Sequence, residues 1–283
     1  MKVLVLGASA MVGSGVFREL SKVKEYEVYG TVRDMSVKSS LNGPRAQLIG
    51  GCDLSDGDRV AELLDTLSPH VVINCVGITK HHSSSEDIVE MININALLPH
   101  RIVKLCEQIG ARVIHISTDC VFSGERGFYS EEDTCDAKDF YGRSKALGEV
   151  LNRKSVTLRT SLIGHEIRTR YGLLEWFLSQ KTFCEGFTRA IFSGLPVIEF
   201  ARIIRDIVIP HDNLSGIYHV AAQPISKYDL LSTIASIYGK EIEIRRNENL
   251  IINRSLCAEK FQRETGYIPP SWEELIISMH NSR

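Results

Sequence analysis

The sequence lacks any apolar stretch near the ~18 residues that a membrane-spanning helix needs, which argues against anchoring of that kind. It lacks a long basic run. Its 33 Lys and Arg stand against 35 Asp and Glu, for a net charge of −2, so no nucleic-acid partner is expected. It lacks a C-x-x-C pair. The seven cysteines are scattered and odd in number, and read as reduced thiols of the cytosol rather than a disulfide framework. No repeat, low-complexity segment or obvious linker interrupts the chain. A strand pattern begins at Lys2 with no cationic, apolar leader ahead of it, so a cytoplasmic location without a membrane partner is expected.

What is present is an ordinary globular composition over 283 residues. At roughly 150 residues per domain, that fits one large or two modest domains. Residues 2–7, 26–33, 46–50, 70–75, 112–117 and 155–159 read as strands, some of them continuously apolar. Helical spacing fills 11–23, 59–67, 86–109 and 140–153, with Pro99 as a kink or a new start. Repeated βαβ units predict an α/β fold with a doubly wound parallel sheet of the Rossmann type. Its ligand crevice lies beyond the carboxyl ends of the strands. The second half is less regular, with helices expected at 173–180, 199–209, 227–238, 258–265 and 272–280, and strands at 216–221 and 241–246. The expected organisation is a dinucleotide-binding domain over 1–162 and a smaller C-terminal α/β substrate lobe over 163–283, with 197–222 returning to the sheet.

The stretch Gly7-Ala8-Ser9-Ala10-Met11-Val12-Gly13 follows the first strand and opens the first helix. Gly7 can make a tight turn and Gly13 allows helix to pack closely on strand. The helix N-terminus, with Ser9, Ala10, Met11 and Val12 around it, then offers free N–H groups to a pyrophosphate. The bland reading is a structural turn in another α/β protein. After the second strand, Arg33 favours the 2′-phosphate of NADPH, whereas Asp34 would take the ribose of NAD if the register slipped by one. Asp53 is placed to accept from an adenine amino group with Leu54 packed on the ring. The competing role is a helix cap at Asp53 or Ser55.

Tyr141-Gly142-Arg143-Ser144-Lys145 is the most informative segment. Tyr141 and Lys145 are four apart on an expected helix and project from one face. A lysine ammonium and an oxidised nicotinamide near the phenol would favour the phenolate and lower its pKa from ~10. The strand before it ends Ser117-Thr118-Asp119-Cys120-Val121-Phe122, and Thr118, preferred over Ser117, can hydrogen-bond a substrate carbonyl beside Tyr141. Each has a bland alternative: a surface tyrosine over a lysine stem, and a strand-end hydroxyl capping a turn.

These stretches together, with VINCVG, Asn93-Ile94-Asn95-Ala96 and the run from Phe140 to Glu149, resemble the extended short-chain dehydrogenase/reductase family over residues 1–165. The similarity is greatest to its dTDP-4-dehydrorhamnose reductase-like branch. The resemblance implies a Thr118–Tyr141–Lys145 triad, in which Tyr141 protonates a carbonyl oxygen as NADPH supplies hydride to the carbon. It implies that Cys75, Val76 and Gly77 line the cofactor beside Tyr141 and Lys145, and that Asn95 is a structural or relay residue. The implied substrate is a nucleotide-activated 4-keto-6-deoxy sugar, made for a surface polysaccharide. Thr79, Lys80, Asp119, Val121 and Phe122 are expected along the sugar and Arg254 on its diphosphate, since arginine binds phosphate bidentately. Ala10 replaces the middle glycine of the branch's turn and Cys120 its usual tyrosine. The run from Ile78 to His82, residues 180–192 and the segment after Pro196 also diverge, which puts the particular sugar in question.

His81-His82 lacks partners at metal-ligand spacing, so no metal is expected. Lys80, Arg168, Arg170, Arg202 and Arg205 are further candidates for the sugar diphosphate, most of them expected to be ordinary surface charges. Trp176 and Phe177 are expected in the core, and Trp272 is expected to anchor the last helix. Two other functions compete on the same fold. One is a nucleotide-sugar epimerase or dehydratase with bound NAD; Asp119 beside Thr118 speaks for a dehydratase, but the expected Asp-Glu pair is missing, and Arg33 speaks against an epimerase. The other is a non-catalytic NADP-binding regulatory subunit, against which the intact triad speaks. Helices 86–109 and 140–153 are a candidate homodimer contact by analogy.

Overall fold

The computed structural model describes residues 1–36, 41, 46–79, 87–167 and 171–282. The chain opens with β1 (Lys2–Leu6), α1 (Met11–Leu20), β2 (Glu27–Thr31), β3 (Ala46–Ile49), α2 (Gly57–Leu67) and β4 (Val71–Asn74). α3 (Ile88–Met91) continues through a π-helical turn (Ile92–Leu97) into α4 (Leu98–Ile109). β5 (Arg112–Thr118), a 3-10 turn (Asp119–Val121), α5 (Phe140–Leu147), β6 (Ser155–Thr160) and β7 (Leu162–Ile163) follow. The remainder comprises α6 (Leu173–Ser179), β8 (Phe183–Phe187), β9 (Ala190–Phe192), β10 (Leu195–Pro196), α7 (Val197–Ile203) with a second π turn (Ile204–Val208), and β11 (Gly216–His219). It ends with β12 (Ile225–Ser226), α8 (Lys227–Tyr238), β13 (Glu243–Asn247), β14 (Ile252–Asn253), α9 (Glu259–Thr265) and α10 (Trp272–His280).

The main sheet has the order β11-β6-β5-β4-β1-β2-β3 and every pairing in it is parallel. A parallel sheet needs cover on both faces, and the alternation of side chains supplies it. Val3 and Val5 of β1 join Phe17, Phe200 and Ile204 on one side. Leu4 and Leu6 join Leu64, Ile102 and Val113 on the other. Each such fully buried side chain contributes about 1.5–3 kcal/mol. The strand order reverses between β1 and β4, whose last residues Leu6 and Asn74 lie side by side. Gly7 and Cys75 therefore leave the sheet together at the switch point, where this topology forms its crevice.

Local signals set the helix starts. The Asp56 side chain accepts from the Asp58 and Arg59 N–H groups at the head of α2. Asp87 caps α3 and Asp139 caps α5 in the same way. The cap of α2 is thus Asp56, not Asp53 or Ser55 as the sequence suggested. Pro99 marks a new start, one of the two readings its sequence position offers. It sits in the first turn of α4, just after the π turn, where a missing N–H is tolerated. The helix expected over 140–153 stops at Leu147, with Gly148 as its cap.

The second half builds smaller sheets, β8 with β13 and β12-β9-β14, over a core of Phe177, Leu230, Ile234, Ile276 and Met279. Phe177 is fully buried, whereas its neighbour Trp176 is 38 % exposed and leaves the expected core. A capping box of Ser271 and Glu274 starts α10, and Trp272 Nε1 donates to Gln223 O at 2.7 Å. β11 brings residues 216–219 to the edge of the main sheet, beside β6. Among the described residues no helix is long and apolar enough to cross a membrane, and no His, Cys, Asp and Glu cluster could hold a metal. His81 and His82 lie outside the described residues.

Candidate active site

The cofactor end is shaped by backbone. Gly7 adopts φ +80, a conformation that favours glycine, and its N–H donates to Thr31 Oγ1 at 3.0 Å. A Cβ on Gly13 would lie 2.1 Å from Gly7 O, so only glycine lets α1 approach this turn. Ala10 precedes α1 with no side-chain cap, and no acidic residue occupies the first turn. The positive helix end is left for an outside anion, and the exposed Ala10 methyl does not close it. Ser9, Met11 and Val12 are half-buried around it. These features fit a dinucleotide pyrophosphate.

Arg33 is exposed two residues beyond β2. The Asp34 carboxylate accepts from the Ser36 N–H and hydroxyl at 2.9 and 2.7 Å, which turns it into the local loop. Asp53 is exposed and accepts from Ser55 N and Oγ at 3.0 and 2.8 Å. Those bonds, and to a lesser degree the Arg33 charge, hold its carboxyl below the usual range. Leu54 is 7 % exposed and packs into the core with Cys52 and Val60. It is therefore core rather than a platform presented to a ring, because the chain dips inward between β3 and α2.

Val76 is half-buried and Gly77 exposed in the turn after β4. The Cys75 thiol is pushed up to about 12 by burial, against the pull of Lys145. Asn95 has no exposure. Its Oδ1 accepts from Ile78 N at 2.8 Å, and its Nδ2 donates to Ile78 O at 2.9 Å and Ser144 Oγ at 3.1 Å. Both amide hydrogens are thus used in tying residue 78 to α5, which makes Asn95 structural.

Thr118, Tyr141 and Lys145 converge where β5 meets α5. A Cβ on Gly142 would lie 2.1 Å from Cys120 O, so α5 sits directly on the turn that follows Thr118. The Thr118 hydroxyl accepts from Cys120 N at 3.1 Å, donates to Asp119 Oδ1 at 3.2 Å and hydrogen-bonds Tyr141. The Tyr141 phenol holds its proton more tightly than a free tyrosine. Burial is the main cause, the nearby Cys120, Asp119 and Asp139 add to it, and the Thr118 bond opposes it. The lowering is expected of Lys145 together with an oxidised nicotinamide, and in the chain alone burial dominates. Lys145 Nζ is turned to Ile116 O at 2.8 Å, and burial pushes its own pKa down to about 8, against Glu149 and Cys75. A protonated phenol is the form that a reduction requires.

Behind the triad lies a charged pair that the sequence reading missed. Arg159 donates from Nε and Nη2 to the two Glu149 oxygens, each at 2.8 Å. Their side chains are 4 % and 6 % exposed. Ser117 Oγ donates to the same carboxylate at 2.7 Å, so the less favoured strand-end hydroxyl is used structurally. The signal was there: an arginine inside a strand buried at every position needs a partner.

On the substrate side, Thr79 is exposed and Lys80 falls outside the described residues, as do Arg168 and Arg170. Asp119 is buried and its carboxyl pushed up, opposed first by Arg254 and then by bonds from Cys120, Thr118 and Ser161. Arg254 reaches across from the end of β14, donating from Nε to Phe122 O at 2.8 Å and from Nη1 to Cys120 Sγ at 3.9 Å. Val121 and Phe122 are fully buried, which corrects their expected contact with a sugar. Phe122 stacks on Tyr129 at 4.2 Å and lies under the Arg159 guanidinium at 5.2 Å. The apolar 121–122 pair is the floor of the site. Arg202 and Arg205 are tied to Ser278 and Glu19, away from this end.

Comparisons with known proteins bear on the family and the fold. The probable low-salt glycan biosynthesis reductase Agl14 of Haloferax volcanii is 28 % identical over 271 residues, covering 92 % of this chain and 85 % of that protein. The spore coat polysaccharide biosynthesis protein SpsK of Bacillus subtilis is 27 % identical, covering 97 % and 95 %. The solved dTDP-4-dehydrorhamnose reductase (rfbD) of Bacillus anthracis, in complex with NADP, superposes with a TM-score of 0.81 at 22 % identity, over 100 % of this chain and 98 % of that one. Residues 1–178 match the RmlD substrate binding domain, and the chain belongs to that family.

Proposed function

We propose that this chain is an NADPH-dependent reductase of the 4-keto group of a nucleotide-activated 6-deoxy sugar, working in the cytoplasm toward a polysaccharide or glycan. The observation that carries the reading is the convergence of Thr118, Tyr141 and Lys145 beside an open helix N-terminus at the sheet's switch point. Bound NADPH would supply the hydride. Gly7, Ser9, Ala10, Met11 and Val12 would hold its pyrophosphate, Arg33 its 2′-phosphate, Asp53 its adenine and residues 75–77 its other wall. Thr118 orients the carbonyl oxygen by a hydrogen bond. Tyr141 donates its proton to that oxygen. Lys145 places a positive charge beside the phenolate left behind. Thr79, Lys80 and Asp119 would face the sugar and Arg254 the diphosphate.

The test is NADPH oxidation, followed at its absorbance band, with a panel of nucleotide 4-keto-6-deoxy sugars. Turnover of one of them names the substrate. No turnover with any, while NADPH still binds, removes the assignment. In the same assay Arg33→Ala should lose about tenfold in NADPH affinity and little in NADH affinity, since one charged contact to phosphate is lost. An unchanged preference between the two would move the cofactor choice back to Asp34.

A homodimer belongs to the same reading. Val89, Ile92, Phe140, Leu147 and Leu151 are exposed on the adjoining α3, π turn and α5 region. Apolar side chains grouped on adjoining helices suit a second copy of the chain. Light scattering that reports a monomer at assay concentration would remove it.

A further inference from the structure

Two buried polar residues with no part in the reaction above lie beneath the turn after β4. Asn74 ends β4, and His115 is its partner in register on β5. Neither has any exposure. Asn74 Oδ1 accepts the Val76 N–H at 3.1 Å, and Asn74 Nδ2 faces His115 Nδ1 at 3.1 Å.

These two contacts settle the proton positions. Asn74 Oδ1 is committed to an N–H, so the amide NH₂ points at the imidazole. His115 Nδ1 must then accept, and the ring proton is on Nε2. A protonated ring would set one donor against another. Burial first, then the charges of Lys145 and His100, also keep the ring neutral. Nε2 makes no hydrogen bond to a described residue. A phenylalanine would remove the unmatched Nε2–H but would leave the buried Asn74 NH₂ without its acceptor, so the reason for a histidine here lies at Nδ1 rather than in packing.

The effect of the pair reaches the cofactor crevice. Val76 is held by Asn74, and a Cβ on Gly7 would lie 3.0 Å from Val76 Cγ2. The two turns that leave the sheet at the switch point are thus in contact, and a shift of one moves the other.

We propose that His115 is a positioning residue for the dinucleotide: its unprotonated Nδ1 orients Asn74, and Asn74 fixes the 75–77 turn that forms one wall of the cofactor site. The inference rests on the reading of that turn as cofactor-lining. It requires a neutral acceptor at Nδ1, which a merely space-filling ring would not supply.

The experiment is a fluorescence titration of the full chain with NADPH, wild type beside His115→Phe and His115→Asn. Phenylalanine keeps the bulk and loses the acceptor. Asparagine returns an oxygen near the Nδ1 position. His115→Phe is expected to weaken NADPH binding about tenfold, the scale of one buried hydrogen bond. The KM for NADPH should rise by the same factor, kcat should fall by less, and His115→Asn should recover most of the affinity. Wild-type affinity in a folded His115→Phe protein overturns the role of His115. Failure of the wild type to bind NADPH overturns the cofactor reading instead. Should His115→Phe not fold, nitrogen-15 spectra of the wild-type imidazole decide. A neutral Nε2–H tautomer from pH 6 to 8 is expected, and an Nδ1–H tautomer or a charged ring in that range overturns the proposal.

Discussion

Tyr141→Phe should reduce turnover by roughly 10²–10⁴, the range for loss of a positioned general acid. NADPH binding should change little, because the ring and its packing against the second core cluster remain. The size of the effect follows from the neighbours. The Thr118 hydroxyl is a far weaker acid than a phenol and serves to orient the carbonyl, and Lys145 Nζ is directed at Ile116 O, so neither replaces the phenol as the acid. A loss below tenfold would mean that water protonates the product and that the triad orients rather than donates. The pH profile gives a second reading. Lys145 has a pKa near 8, lowered by burial from the usual lysine value. Below that point the ammonium is present to stabilise a developing phenolate, and above it the charge is lost. The kcat/KM for the sugar should therefore fall as pH rises through about 8. A profile flat to pH 10 would show that the charge on Lys145 is not needed.

Arg159→Leu should cost about 3–5 kcal/mol of unfolding free energy in a urea titration, because it leaves the Glu149 carboxylate buried and uncompensated. Three hydrogen bonds now satisfy that carboxylate, two from Arg159 and one from Ser117. Only the last would survive. The double variant Arg159→Leu/Glu149→Leu should recover much of the loss, since an apolar pair of similar volume is often no worse than a buried ion pair. A single-variant cost below 1 kcal/mol would show that Glu149 takes up a proton or reaches water when Arg159 is gone. Activity should drop with stability, because Ser117 is next to Thr118 and Glu149 contributes to the charge state of Lys145.

The main sheet was legible because its strands are short apolar runs between helices with regular spacing, and pattern alone places those. The Gly7–Gly13 turn and the Tyr141–Lys145 pair were legible for the same reason: each is set by residues close in sequence. The strands β7, β10, β12 and β14 were not, since two residues carry no period to read. Burial misled at Val121, Phe122 and Leu54. They follow strand ends, where ligands bind, yet their side chains turn inward to Tyr129, Arg159 and the α2 face. Whether a loop residue faces a crevice or a core depends on partners far along the chain. The hold of Tyr141 on its proton was not legible locally either, because it comes from burial and from Cys120 and Asp119, which the fold brings to α5.

The π turn of Ile92–Leu97 has a bearing on how this rod could be altered. One extra residue in a helical turn advances the angular phase of everything after it by about 100°. Ile94, Asn95 and Ala96 are buried in succession within it. Upstream, Val89 looks outward and Met91 into the core, while downstream Ile102 and Cys106 look into that same core. Deleting one residue within the turn would yield a regular helix at no loss of backbone hydrogen bonding. It would also rotate one half against the other, so that Asn95 could no longer meet both residue 78 and Ser144. The irregularity is thus the point at which the rod changes phase while both of its halves, through Met91 and Ile102, stay on one core.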